Sequence, residues 1–340
     1  MRAVAVTAPL GEPMLVELPK PDPEMGEVRV RIEYAALNPY DWQRADDPAA
    51  GLSPQGFPHV QGFPHVQGFP HVVGVDFAGR VDMVGRGPSR FRVGDPVFGR
   101  VAHPSPGGGA YAEYVSVHQD SPIALVPSGL SLKVAAALPT AGTAACQILA
   151  ALGAGEGDCL LIVGAAGGIG SYLTQLASAR GVRVLAAVRG DERRRMSILG
   201  AARTLDVSAG PESLPAAVRE SHPHGVDALA DLVSEAPEAF AAHTALVRDG
   251  GVALTTRGAG AKAGNRALHT GPPPVDFRLA PSALLLDALA AAVTSGAFVV
   301  PIDFELPLEK APEALAQNRA GGARGKTVFV LRPGAGHHTG

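Results

Sequence analysis

Over the first third of the chain, apolar and polar residues alternate with a period of two. Arg2–Thr7, Met14–Leu18 and Glu27–Leu37 follow this pattern, and Pro9, Gly11, Pro13 and the run PKPDPEMG punctuate them. The pattern predicts strands joined by turns, the last of them long and half-buried. VVGVDFAGRVDMVG and FRVGDPVFGR each predict strand, turn and strand, and GGGAYAEYVSV predicts a glycine loop feeding a further strand. From Ser131 the texture changes: LKVAAALPTAGTAACQILAAL predicts helix, broken at Pro139 and Gly142.

The segment 159–189, CLLIVGAAGGIGSYLTQLASARGVRVLAAVR, combines both periods. Leu160–Val163 is an apolar run of strand length. Ile169, Leu173, Leu176 and Ala177 then recur at helical spacing, Gly181 ends the helix, and Val182–Val188 is a second apolar strand. Strand, glycine turn, helix and strand form the unit that holds a dinucleotide. Without side chains at Gly164, Gly167, Gly168 and Gly170, the backbone can approach a pyrophosphate. Amides around Ala166, Gly167, Gly168 and Ile169, at the positive end of the helix, can then meet its oxygens.

The tip of the second strand bears on which dinucleotide. It carries no acid; Arg189 stands there, with Arg193, Arg194 and Arg195 beyond. A guanidinium matches a 2′-phosphate and a carboxylate would repel it, so NADP(H) is the expected cofactor and NAD the alternative.

Strand and helix keep alternating after Arg189, through RTLDV, GVDALADLV and GGVALTT, which predicts a doubly wound parallel sheet. GPPPVDFRLA then reads as a proline-rich crossing, PSALLLDALAAAVTSG as a helix, FVVPIDFELP as a strand pair, LEKAPEALAQNRAGG as a last helix and GKTVFVL as a closing strand. The expected division is residues 1–122 with 264–340 as one domain and 123–263 as the other. Residues 56–73 repeat GFPHVQ, GFPHVQ, GFPHVV; the third copy leads into the strand pattern and the first two read as an insertion in a surface loop. His59, His65 and His71 recur there without an Asp, Glu or Cys among them, a poor donor set for a metal.

Composition narrows the class. The chain has 340 residues, 46% hydrophobic and 18% charged, which suits a globular protein and argues against disorder. A net charge of −3 gives no electrostatic reason to expect nucleic acid or an anionic membrane. No stretch is long and apolar enough for a membrane span or a signal peptide. Cys146 and Cys159 cannot form a disulfide framework or a four-cysteine metal site, so a reducing cytoplasm is the expected location.

AALNPYDWQR, FPHVVGVDFAGRVDMVG, RVGDPVFG, GGAYAEYV, LPTAGTAACQIL, VGAAGGIGSYLTQLA and ARGKTVFVL together resemble the medium-chain dehydrogenase/reductase superfamily. Within it, they are similar to the zinc-independent quinone oxidoreductases, the zeta-crystallin-like branch. The resemblance implies an α/β protein with a β-rich GroES-like catalytic domain and a Rossmann domain, a bound NADPH, and a homodimer joined at the GGVALTT edge. The zinc-dependent branch would carry a Cys at Asn38, a His at Val75 and a Cys near Pro139 or Thr140, so no metal is expected.

Without a metal acid, the favoured hydride acceptors delocalise the arriving charge: quinones, and alkenes conjugated to a carbonyl. The nicotinamide is expected near Asn38, in the cleft between the domains. Asn38, Tyr40 and Gln43 are the candidate catalytic residues. The Asn38 amide either fixes the cofactor carboxamide or a substrate carbonyl, or caps the loop before Pro39. Gln43 stands where such quinone reductases often carry Tyr. Tyr40, Tyr111 and His103 are candidate proton donors, with solvent as the alternative. Thr140, Val233, Ser234, Thr255 and Thr256 are further candidate cofactor contacts, at or near the carboxyl ends of strands. Asp41 reads as a turn residue and Asp231 as structural; Lys326 either reaches the site or faces solvent. Two other readings stay open: a tailoring reductase or cyclase acting on a polyketide-like intermediate, and a cofactor-binding relative without turnover.

Overall fold

The computed structural model describes residues 1–8, 11–46, 70–102, 108–210, 212–262, 274–321 and 323–331, with 43–46, 261 and 262 as backbone only. The two GFPHVQ copies, His59, His65 and His103 lie outside the described residues, as does the side chain of Gln43. Two compact units are formed, Met1–Thr143 with the chain from Pro281 on, and Ala144–Ala280.

The first unit begins with β1 (Arg2–Val6), β2 (Met14–Glu17), β3 (Glu27–Ala36), α1 (Pro39–Asp46), β4 (His71–Val72), β5 (Asp76–Val84), β6 (Pro96–Arg100), β7 (Tyr114–His118), β8 (Ile123–Leu125) and α2 (Leu132–Ala136). The helix α3 (Pro139–Leu152) runs on from it. The strand predicted at Glu27–Leu37 is nearly all buried rather than half-buried, because β3 pairs with both β5 and β7 and, at its far end, with a strand from the end of the chain. Arg29, the polar residue this buries, is held by Asp82 through Nε at 2.9 Å and Nη2 at 3.1 Å. Burial of Val28, Val30, Ile32, Phe77 and Val97 makes this sheet the unit's core.

The second unit contains β9 (Cys159–Val163), α4 (Gly168–Ser178), β10 (Arg183–Val188), α5 (Arg193–Ile198), β11 (Arg203–Asp206), α6 (Ser213–Ser221), β12 (Val226–Asp231), α7 (Pro237–Thr244), β13 (Val247–Thr255), α8 (Ala259–Lys262) and β14 (Pro274–Asp276). Its parallel sheet has the order β11-β10-β9-β12-β13-β14, a doubly wound sheet as the sequence pattern predicts. The chain then returns to the first unit with α9 (Ala283–Thr294), β15 (Ile302–Pro307), α10 (Ala311–Arg319) and β16 (Lys326–Val330).

The structure corrects several expectations. The unit boundary falls after Thr143 and not at 122/123, because α2 packs on β3, β5 and β6. It falls after Ala280 and not at 263/264, because the stretch read as a crossing supplies β14, paired with β13 from Ala253 to Thr255. GGVALTT is therefore not a bare edge; β14 is the outer strand. Gly142 does not break the helix: α3 starts at Pro139 and runs through it, and a Cβ there would meet Leu289 Cδ1 at 2.8 Å. Proline is at home in a first helical turn, where its missing N–H has no partner to lose. FVVPIDFELP forms one strand, β15, and not a pair.

Candidate active site

In the first unit, strand register assembles a buried polar group. Ala36 lies opposite Asp76 across β3 and β5, and Asp76 lies opposite Arg100 across β5 and β6. On the other side, Ala36 lies opposite Val328 of β16, two residues after Lys326. Four strand ends thus meet at one edge, and the chain leaves β3 there through Leu37 and Asn38.

Asn38 initiates α1. Its carbonyl accepts from the Asp41 N–H at 3.0 Å, and its own N–H donates to Asp41 Oδ2 at 2.8 Å. This reciprocal closure of the first turn is the logic of a capping box. The Asn38 side chain takes no part in it. Its Nδ2 donates to Asp76 Oδ2 at 2.9 Å and to the Ala36 carbonyl at 3.4 Å, while its Oδ1 accepts from Lys326 Nζ at 2.6 Å. Lys326 also donates to the Leu37 carbonyl at 2.8 Å. The question of whether Lys326 faces solvent is closed: it is 2% exposed. Thr140 joins through Asp76, which accepts from its hydroxyl at 2.6 Å and its N–H at 3.1 Å; Arg100 Nε donates to that hydroxyl at 3.1 Å.

These bonds alter two sequence expectations. Both amide protons of Asn38 are engaged within the unit, so the amide has no free donor for a carboxamide or carbonyl. Tyr111 is fully buried and donates its O–H to Asp41 Oδ2 at 2.7 Å. Its phenol, raised well above its ordinary range by burial and then by Asp41, is no proton source. Gly74 makes room for that ring: its φ is +87°, and a Cβ there would lie 2.2 Å from Tyr111. Asp41 is wholly buried, with Oδ1 unpartnered. Burial raises its carboxyl to about 7, against the lowering effect of the Asn38 N–H and the Tyr111 O–H. Burial lowers the Lys326 ammonium, and Asp76 and Asp41 oppose that fall. Tyr40 is half-buried, under the Arg100 guanidinium at 5.2 Å from the ring centre.

The second unit presents backbone donors instead. Gly164 turns the chain at φ +86°, where a Cβ would strike Val233 Cγ1 at 2.5 Å. Gly170 packs α4 against the turn so closely that a Cβ would lie 2.4 Å from the Gly164 carbonyl. Gly167 caps α4 without any side-chain bond, which leaves the first-turn N–H groups of Gly168, Ile169 and Gly170 without helical acceptors. Ala166 is half-buried in the same turn. Such a cradle fits a pyrophosphate.

At the tip of β10, Arg189 is exposed. Arg193 is engaged by Asp191, through Nε at 2.9 Å and Nη2 at 3.0 Å. The strand tip nevertheless has an acidic neighbour. Parallel pairing sets Asp206 of β11 opposite Val188, and its Oδ1 accepts from the Gly190 N–H at 3.0 Å and from the Ser208 hydroxyl at 2.6 Å. The sequence at the end of β10 held no hint of it.

After β12, Val233 is exposed and Ser234 buried. Asp231 Oδ1 receives both of their N–H groups, at 3.1 and 2.9 Å, and Oδ2 lies 2.8 Å from His243 Nδ1. Thr255 is buried at the end of β13, its hydroxyl accepting from the Arg257 N–H at 3.2 Å, and Thr256 is half-buried. Sequence reading thus passed over Asp76, Arg100, Asp206 and His243; only the register Ala36–Asp76–Arg100 marks the first two, and pairing across strands is not visible in a linear pattern.

Among the described residues, no group of three or more His, Cys, Asp or Glu side chains is placed to hold a metal, and no helix is long and apolar enough to cross a membrane.

Residues 24–128 match the family described as alcohol dehydrogenase GroES-like domain, and 199–329 match that described as zinc-binding dehydrogenase. The chain is 30% identical over 322 residues to a chloroplast envelope quinone oxidoreductase homolog of Arabidopsis thaliana, covering 92% of each chain. It is 31% identical over 197 residues to a chloroplastic quinone-oxidoreductase homolog of Spinacia oleracea, 56% of this chain and 55% of that one. With the 2-methylene-furan-3-one reductase of Solanum lycopersicum it shares 30% over 246 residues, 70% of this chain and 58% of that one. Among solved structures, it is similar to the quinone oxidoreductase from Coxiella burnetii, at TM-score 0.83 and 25% identity over 98% of this chain and 99% of that one. A mycobacterial protein complexed with NADPH matches at TM-score 0.76 and 25% identity, over 97% of this chain and 99% of that one.

Proposed function

We propose that this chain, which belongs to the quinone oxidoreductase branch of the medium-chain dehydrogenase/reductase superfamily, is an NADPH-dependent, zinc-independent reductase of conjugated enones or quinones. It is an oxidoreductase by that membership. The substrate class rests on one observation: the buried group holds Asn38, Asp76, Thr140 and Lys326, and offers no thiolate or imidazole to a metal. A reductase without a metal acid is suited to acceptors that spread the charge themselves. Quinone oxidoreductases and a methylene-furanone reductase among the relatives are named for such acceptors.

When bound, the nicotinamide supplies the hydride. The chain's own part is to bind and orient. The amides of Gly168, Ile169 and Gly170 meet the pyrophosphate, and Arg189 meets the 2′-phosphate. Thr140, fixed by Asp76 through both its N–H and its hydroxyl, is the contact we assign to the nicotinamide. Asn38 orders this group through its bonds to Lys326 and Asp76 and does not bind substrate by its amide protons. Solvent supplies the final proton. The branch membership also supports a homodimer, with β14 as the outer strand available for pairing, and light scattering at micromolar concentration tests it. The free cysteines Cys146 and Cys159 suit a reducing compartment such as the cytoplasm.

Asp206 favours a second reading, NADH, because a carboxylate beside Arg189 opposes a 2′-phosphate. Titration decides. Arg189→Ala is expected to weaken NADPH binding by about 1.5–3 kcal/mol and to leave NADH little changed. Comparable losses for both cofactors, with NADH the tighter binder in the unaltered protein, would favour NADH. Oxidation of NADPH against a panel of quinones, 2-enones and enoyl thioesters tests the substrate class.

A further inference from the structure

Hydrogen-bond accounting in the Asn38 group leaves one half-exposed side chain with donors to spare. The two amide protons of Asn38 go to Asp76 and the Ala36 carbonyl. The N–H and O–H of Thr140 both go to Asp76. Tyr111 gives its proton to Asp41, and Lys326 is buried against Leu37 and Asn38. Arg100 differs. It is the last residue of β6, half-buried, directly across the ladder from Asp76. Its Nε is anchored on the Thr140 hydroxyl at 3.1 Å, and its guanidinium lies over the Tyr40 ring at 5.2 Å. Among the described residues, Nε is the only Arg100 nitrogen with a hydrogen-bond acceptor, which leaves Nη1 and Nη2 uncommitted. A cation anchored at one nitrogen and lying over a ring is preorganised; a fixed donor of this kind is worth most where charge develops during a reaction.

We infer that Arg100 is a catalytic residue that stabilises the negative charge developing on the substrate oxygen. The inference rests on the reductase reading above. In an enone, hydride adds to the β-carbon with its electron pair. The carbon–carbon π pair shifts to join the α-carbon to the carbonyl carbon, and the carbonyl π pair moves onto oxygen, giving an enolate. The Arg100 N–H groups bond that oxygen and release no proton. Water then protonates the α-carbon, the carbonyl re-forms, and the hydroxide left behind is neutralised by buffer. In a quinone, the hydride adds with its electron pair to one carbonyl oxygen, and the ring π pairs shift to make the aromatic ring. The other carbonyl π pair moves onto its oxygen, and the Arg100 N–H groups bond that oxygen. Water protonates it to the hydroquinone, and the hydroxide left behind is neutralised by buffer.

Two readouts test this in the full-length protein. With NADPH and 2-cyclohexen-1-one or 1,4-benzoquinone, Arg100→Gln is expected to lower kcat by about 10²-fold or more, the scale for loss of one oxyanion donor. The Kd for NADPH, followed by nicotinamide fluorescence, should not change. Arg100→Lys keeps the charge without the fork and should recover part of kcat. The second readout needs no turnover: 4-nitrophenol added to the protein with NADP⁺ should ionise at lower pH when bound than when free, read at the phenolate band, and Arg100→Gln should abolish that shift. An unchanged kcat and an unchanged 4-nitrophenol titration in folded Arg100→Gln would overturn the assignment. So would a loss of NADPH affinity that accounts for the fall in kcat. If Arg100→Gln does not fold, Arg100→Lys is read the same way, and kcat equal to that of the unaltered protein counts against it. If the unaltered protein reduces neither substrate, the reductase reading fails, and the 4-nitrophenol titration still decides Arg100.

Discussion

Two buried aspartates, one in each unit, do opposite things with the same side chain. Asp41 and Asp231 are both inaccessible to solvent, and both accept backbone N–H groups beside a helix or strand end. Around Asp41 every bond falls on one oxygen, from Asn38 and Tyr111, and Oδ1 is left bare. Its carboxyl rises to about 7, burial being the chief cause. Around Asp231 the bonds are shared: the N–H groups of Val233 and Ser234 on Oδ1, and His243 on Oδ2. Burial pushes Asp231 up as well, but His243 and Ser234 outweigh it, and its carboxyl lies below the ordinary value. The difference shows that burial alone does not set the charge; the number and distribution of donors do.

The same contrast runs through the two regions. The group around Asn38 is built from side chains that satisfy one another, with Arg100 as its open end. The turn at Gly164–Gly170 is built from the lack of side chains, and its open donors are the first-turn amides of α4, which have no helical acceptors. The first is vulnerable to loss of a charge and the second to gain of a methyl.

The largest effect is expected from Lys326→Met. It removes the ammonium, leaves the buried Asn38 Oδ1 and Leu37 carbonyl without their donor and takes a cation from the neighbourhood of Asp76, at a cost of about 3–5 kcal/mol in urea unfolding. Adding Asp76→Asn should return much of that loss; a double variant as unstable as the sum of the two singles would show that the charges do not act on one another.

Asp41→Asn comes next. The folded carboxyl titrates above its unfolded value, so the folded state holds a proton that the unfolded state releases between about pH 4 and pH 7. Stability from this group is full below pH 4, falls as pH rises and levels off above pH 7, by up to about 4 kcal/mol. The variant should flatten that slope, and unfolding at pH 4, 6 and 8 checks it. Asp231 has the opposite sign: its contribution is present above the ordinary carboxylate range and is lost as pH falls through its lowered folded value.

Gly170→Ala is expected to cost about 1–3 kcal/mol, since its Cβ would enter the Gly164 carbonyl. It should also weaken both nicotinamide cofactors, because the turn must open. Full cofactor affinity in this variant would separate α4 from the phosphate. The smallest effect belongs to His243→Ala, which removes the imidazole from Asp231 Oδ2 at a cost of about 1–2 kcal/mol and should bring the Asp231 carboxyl back up, read by NMR titration.

The linear pattern by itself determined the elements whose cause is local. The glycine turn, its helix and its flanking strands were legible because a pyrophosphate cradle needs a strand, missing side chains and a helix start in direct succession. The doubly wound parallel sheet followed from alternating strands and helices. Asn38 was legible as a residue of interest from the family resemblance, its place before Pro39 suggesting only a loop cap, and Arg189 from the strand that ends on it. Tertiary structure decided everything that depends on register. It brought Asn38, Asp76, Arg100 and Lys326 to one sheet edge from distant parts of the chain, turned the Asn38 amide inward, and set Asp206 beside Arg189. It also gave β13 a neighbour, β14, in a stretch rich in proline. The physical reason is that a strand's period shows which face a residue takes but not which strand lies beside it. Pairing partners are chosen by the burial of the whole sheet, and a polar group's role follows from the partners that burial leaves it.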